Sequence, residues 1–123
     1  MKINLKVFSV ILILSAVIYS CEYDHPVPIT IEDEPVSFST QIQPIFDAGC
    51  NGSGCHSTGA IPPDLTTANS YSSLLLNDMI ETVNPASSEL YTSLSSGSMK
   101  SYVSSPTDAA LILKWIEQGA KNN

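Results

Sequence analysis

The segment Cys50-Asn51-Gly52-Ser53-Gly54-Cys55-His56 constrains the fold more than any other part of the sequence. It places two thiols and an imidazole on a stretch without apolar periodicity, which continues through Gly59, Pro62 and Pro63. Glycine and proline punctuate the chain here, so 50–63 is predicted to be a loop with something to hold. Gly52 and Gly54 permit the positive φ angles that would turn both sulfurs to one side.

On either side the pattern is helical. Phe38, Ile42, Ile45 and Phe46 recur at helical spacing after Ser39 as a candidate cap, and Gly49 offers a stop. Pro44 interrupts this run and removes a backbone donor, which predicts an irregular first turn or a short separate one. Weaker helical patches cover 68–76 and, after Asn84-Pro85, 86–94. The clearest signal comes last. Ser105 can cap, Pro106 suits the first helical position, and Asp108 has capping-box spacing ahead of Ala109, Ile112, Leu113, Trp115 and Ile116. Gly119 then supplies the stop.

The N-terminus reads as an export signal over 1–20. Lys2 and Lys6 precede an apolar run from Val7 to Ile18, too short and too one-sided for a transmembrane helix. Ser20-Cys21 resembles the lipobox of bacterial lipoproteins, with Tyr19 departing from the usual small residue; the resemblance implies signal removal and lipidation of Cys21. An ordinary secretory signal with a leftover cysteine, or an uncleaved anchor, is the alternative. Either way the domain is expected outside the cytoplasm. Residues 21–36 combine Pro26, Pro28 and Pro35 with Glu22, Asp24, Glu32, Asp33 and Glu34, the composition of an extended tether reaching at most ~50 Å. The domain proper is expected over 37–123.

Loss of the signal leaves three lysines, no arginine and twelve acidic residues, a formal charge of −9. Such a surface repels phosphate backbones, which argues against nucleic acid and for basic partners or plain solubility. It also leaves few large hydrophobes, and a core this thin usually needs a staple, a metal or a cofactor.

Several chemistries suit the cysteine segment. Covalent haem attachment uses two thiols on the porphyrin vinyl groups and a histidine directly after the second cysteine as an iron ligand. That motif usually has two residues between the cysteines; here there are four, so the loop must bulge. A Cys50–Cys55 disulfide would suit an oxidising compartment. Zinc would find three ligands in Cys50, Cys55 and His56, the only other histidine being His25 in the tether. A redox dithiol usually has two intervening residues, and no strand pattern suggests a thioredoxin-like sheet.

The run Gln41-Ile42-Gln43-Pro44-Ile45-Phe46-Asp47-Ala48-Gly49-Cys50 resembles the entry helix of bacterial c-type cytochrome domains, many of which are lipoproteins. The run from Leu111 to Ala120 resembles their closing helix, so the resemblance spans Phe38 to Ala120. It implies an all-α, cytochrome c-like fold wrapped around one covalent haem c, with the first and last helices crossing and Phe46 and Ile42 set against Trp115 and Leu111. It further implies thioether links at Cys50 and Cys55 and axial iron ligands in His56 and Met99.

Met99 lies between Gly97-Ser98 and Lys100-Ser101 without an apolar stripe, whereas Met79 has Leu75, Leu76 and Ile80 as neighbours, which predicts a packing role. The family normally follows its methionine with proline, so Lys100 predicts a less rigid ligand loop. A backbone carbonyl near Pro62 and Pro63 is expected to accept the second ring N–H of His56.

The expected function is electron transfer to redox partner proteins by a membrane-anchored, non-enzymatic carrier in the cell envelope, facing the periplasm or the cell surface. An open-haem peroxidase-like or gas-binding protein, and a disulfide-stapled binding lipoprotein without haem, are the alternatives. Cys21→Ser should leave the precursor unprocessed or release the protein from the detergent phase; a mass spectrum showing unmodified Cys21 in the mature wild type refutes lipidation.

Overall fold

The structure is a computed structural model that describes residues 34–123. The expected signal over 1–20, the lipidation site Cys21 and the tether as far as residue 33 lie outside the described residues. Among the described residues the chain is all-α, with four α-helices joined by short 3₁₀ and π turns, and no strand. No described helix is long and apolar enough to cross a membrane.

Proline divides the first helical run. Phe38–Ile42 winds as a π turn, and α1 follows at Gln43–Gly49 with Pro44 in its first turn. A proline has no N–H to give to the preceding turn, so the change of winding falls where that donor is missing. The cap is Ser37 and not Ser39: Ser37 Oγ accepts from the Thr40 N–H at 3.4 Å, while Ser39 Oγ donates to the Asn123 carbonyl at 2.9 Å. With the first helical residue at Phe38, the capping position falls on its predecessor.

The two middle patches form α2 at Ser70–Leu76 and α3 at Glu89–Ser95, the latter entered through a 3₁₀ turn at Pro85–Ser87. A second 3₁₀ turn, Lys100–Tyr102, precedes α4 at Pro106–Glu117. The capping box expected at its start is present, with the Ser105 N–H donating to Asp108 Oδ2 at 3.0 Å and the Thr107 N–H to Ser105 Oγ at 3.1 Å. Gly119, at φ 93°, turns the chain out, and the Ala120 N–H returns to the Trp115 carbonyl at 2.9 Å.

The core lies where the first segment meets α4. Ile42, Phe46, Leu74, Ile112, Trp115 and Ile116 are fully buried. Phe38 supplies the ring contact to Trp115, with centroids 5.2 Å apart, and reaches Phe46 at 6.4 Å and Tyr71 at 5.3 Å. The two ends of the domain therefore meet, but through Phe38 where Phe46 was expected opposite Trp115, and Leu111 is only partly buried. The π turn carries Phe38 onto the face that α4 covers. Polar ties finish the seam: the Phe38 N–H donates to Asn123 Oδ1 at 2.9 Å and the Val36 N–H to Gln118 Oε1 at 2.7 Å.

Trp115→Ala removes the ring on which the seam converges together with an Nε1 donor to the Lys121 carbonyl at 2.9 Å. It should cost about 3–5 kcal/mol, a large share of the stability of so small a domain. Denaturant titration of the two proteins measures the loss, and a cost under about 1 kcal/mol contradicts the packing described.

Candidate functional site

Beside this core a cleft of about 430 Å³ opens, within the ~300–1,000 Å³ range of small-molecule sites. Its walls come from the end of α1, the Cys50–His56 loop, the Ile61–Leu65 return, Met79, one face of α3 and the Met99 turn. Phe46, Ile61, Pro63, Leu65, Leu90 and Leu94 make it largely apolar; Ser93, Ser98 and the Tyr102 side chain add hydroxyls, and Glu89 adds a carboxylate. Cys50, Cys55 and His56 from one loop, and Met99 from a distant part of the sequence, all line it. Cys21 lies outside the described residues.

Different elements hold the two cysteines. Cys50 ends α1, its N–H bonded to the Phe46 carbonyl at 2.8 Å, and it is 6 % exposed within the core cluster. Cys55 is exposed, and both cysteines are free thiols. Burial pushes the Cys50 thiol above its ordinary pKa, and the neighbouring Cys55 sulfur pushes the same way. Between them the Cys55 N–H bonds to the Gly52 carbonyl at 3.0 Å, and Gly54 takes a φ of 81°. The bulge thus uses one positive φ, at Gly54; Gly52 does not adopt one. Among the described residues no three His, Cys, Asp or Glu side chains group as a metal site.

His56 is half-buried and held from both sides of the loop. Its N–H donates to the Cys50 carbonyl at 3.1 Å, and its carbonyl accepts the Leu65 N–H at 2.7 Å. Its Nδ1 lies 3.0 Å from the Pro63 carbonyl and 3.1 Å from that of Ile61. In the neutral ring, two acceptors facing Nδ1 place the proton there and leave the lone pair on Nε2. The expected carbonyl partner near the proline pair is therefore present, with Ile61 as a second.

Met79 packs against the core as expected, and it also lines the cleft. Leu75 and Leu76, the neighbours on which a packing role was based, are 49 % and 83 % exposed. α2 ends at Leu76, and Asp78, at φ 53°, turns the chain ahead of Met79, which lines the cleft. Met79 and Met99 are both partly buried against the core, so burial does not tell the two sulfurs apart.

Two supports were not anticipated. Buried Gln43 donates from Nε2 to the Leu65 carbonyl at 3.1 Å and to Asp47 Oδ1 at 2.9 Å, and its Oε1 accepts from Ser70 Oγ at 2.5 Å. It ties α1, α2 and the strap behind His56 together; the signal was an amide placed inside an apolar helical stripe. Asp64 accepts from the Thr66 hydroxyl at 2.6 Å, the Thr66 N–H at 3.0 Å and Asn69 Nδ2 at 2.9 Å. An aspartate two residues before a threonine, just ahead of a helix, is the pattern that marks such a turn.

No known protein family matches the chain, and no significant match is found among curated proteins or solved structures.

The Thr66 hydroxyl and N–H, with help from Asn69, hold the Asp64 carboxyl down at about 2, against an ordinary 3.8. Because the folded state favours the ionised form, the stabilisation is complete above about pH 4 and is lost as pH falls through about 2. Asp64→Asn should therefore flatten the fall in melting temperature across that interval; a variant keeping the wild-type slope there assigns the acid sensitivity to other groups.

Proposed function

We propose that the domain is a mono-haem c-type cytochrome that transfers single electrons in the cell envelope. The observation that carries this reading is the convergence of Cys50, Cys55, His56 and Met99 on one apolar cleft, with His56 Nδ1 occupied by backbone carbonyls. Cys50 and Cys55 would bind haem covalently: each S–H adds across a vinyl C=C, sulfur bonding to one carbon and hydrogen to the other, with no electrons gained or lost. His56 Nε2 and the Met99 sulfur would be the axial ligands. Haem bound in this way supplies a reversible one-electron iron couple.

The chain's own residues supply the rest of the chemistry. The Pro63 and Ile61 carbonyls orient the imidazole and raise its basicity as a ligand. Phe46, Leu65, Leu90 and Leu94 exclude water from the cleft, which favours the iron state of lower charge. The acidic surface suits basic redox partners, and lipidation at Cys21 with the tether expected ahead of the buried Val36 would keep the carrier at a membrane, facing the periplasm or the cell surface. A closed, doubly ligated iron makes the protein a carrier and not an enzyme.

Acid-acetone extraction should leave haem on the wild-type protein, and Cys50→Ser or Cys55→Ser should lose one or both thioether links. Complete extraction from the wild type rules out covalent attachment, and absence of haem colour after export with a haem-attachment system favours the haem-free binding lipoprotein. Met99→Ala should lower the reduction potential, remove the red-end sulfur-to-iron absorption of the ferric protein and open the ferrous iron to carbon monoxide. Met79→Ala should mainly loosen packing. Rapid carbon monoxide binding by the native ferrous protein would favour the open-haem alternative.

A further inference from the structure

The turn that carries Met99 is seated against backbone at both ends, and both seats require glycine. At the far end the Tyr102 carbonyl oxygen lies against Gly49, the residue before Cys50, so closely that a Cβ on Gly49 would overlap it. At the near end Gly97 packs on α3, where a Cβ would stand 2.8 Å from Ser93 Cα and 3.1 Å from the Ser93 and Thr92 carbonyl oxygens. Neither glycine has a positive φ, so both are needed for space and not for conformation.

Backbone bonds hold the segment between the seats at several points. The Gly97 N–H donates to the Thr92 carbonyl at 2.9 Å, the Met99 N–H to the Ser93 carbonyl at 3.1 Å, and the Tyr102 N–H to the Met99 carbonyl at 3.0 Å. A single 3₁₀ turn, Lys100–Tyr102, separates Met99 from the Gly49 contact. Its i→i+3 bonding leaves little slack, so displacing the Tyr102 peptide displaces Met99.

We infer that Gly49 and Gly97 are positioning residues for Met99, setting where its turn stands relative to the Cys50 end of the cleft. They take the part of the proline that Lys100 replaces: the turn is held from outside by backbone contact instead of from within by a fixed φ. This rests on the haem reading above and adds that the iron–sulfur bond depends on two residues that supply no ligand atom to the iron.

The test uses the full-length, haem-loaded protein. Gly49→Ala should keep its thioethers and helix content while losing most of the ferric sulfur-to-iron absorption, lowering the potential and admitting carbon monoxide to the ferrous iron. Gly97→Ala should do the same from the other end, and decides the matter if Gly49→Ala does not accumulate. Ile116→Val, a core truncation that does not line the cleft, should melt lower yet keep the absorption. The inference is overturned if the glycine variants retain wild-type absorption and inertness to carbon monoxide, which leaves the carrier reading intact. It is also overturned if Ile116→Val loses the absorption as fully as they do. A wild type without the absorption removes Met99 as ligand and this inference with it, while covalent attachment is judged separately by extraction.

Discussion

The seam between the first helical segment and α4 is the constraint on which the rest of the domain depends. Trp115, Phe46, Ile42, Ile112 and Ile116 are fully withdrawn from solvent there, and Phe38 spans from Trp115 to Phe46. A domain this small cannot bury a large fraction of its chain, so stability concentrates in the one place where long apolar side chains meet. Because the π turn packs on α4 at this seam and runs directly into α1, the helix is placed by it, and its last turn carries Gly49 and Cys50 to the edge of the cleft. The site is an extension of the core.

Away from the seam, polar bonds do what apolar area does not. Gln43 joins α1 to Ser70 and Leu65, Asp64 gathers Thr66 and Asn69, and the Ser88 hydroxyl donates to the Glu81 carbonyl at 3.1 Å and accepts from the Glu81 N–H at 2.9 Å. Among the described residues no buried side-chain nitrogen or oxygen is left without a partner. Each such bond contributes only about 1 kcal/mol net, but breaking one would strand a buried group at a cost of about 1–3 kcal/mol. The loops around the cleft are thus held in one arrangement by the expense of every alternative, which suits a site whose groups must keep fixed positions.

The parts of this architecture legible in the sequence are those governed by local rules. The capping box at Ser105, the stop at Gly119 and the irregular winding around Pro44 follow from residues within a few positions of each other. Ser37 was missed because the extra residue of a π turn moves the helix start and leaves no mark in apolar spacing. Leu75 and Leu76 look like part of one packing stripe with Met79, but the turn at Asp78 separates them, so they are exposed while Met79 packs on the core. The gathering of Cys50, Cys55, His56 and Met99 was expected from motif and resemblance. The Gly49–Tyr102 contact was not legible, since residues so far apart in sequence have no local signature of touching.

The four-residue spacer between the cysteines has a physical consequence of its own. Cys50 receives its position from α1, through the Phe46 carbonyl and the core around it, whereas Cys55 and His56 receive theirs from the 61–65 strap through the bonds at Ile61 and Leu65. A shorter spacer would hold both sulfurs to one rigid turn. Here Asn51, anchored by its side chain to Asp47 Oδ1 at 2.6 Å, and Gly54, with its positive φ, let the chain leave the helix before it enters the strap. One thiol therefore belongs to the core and the other to the rim, and the distance between them is set by how α1 packs against the strap. Gln43, bonded to the Leu65 carbonyl from within α1, is a side chain that ties the helix to the strap.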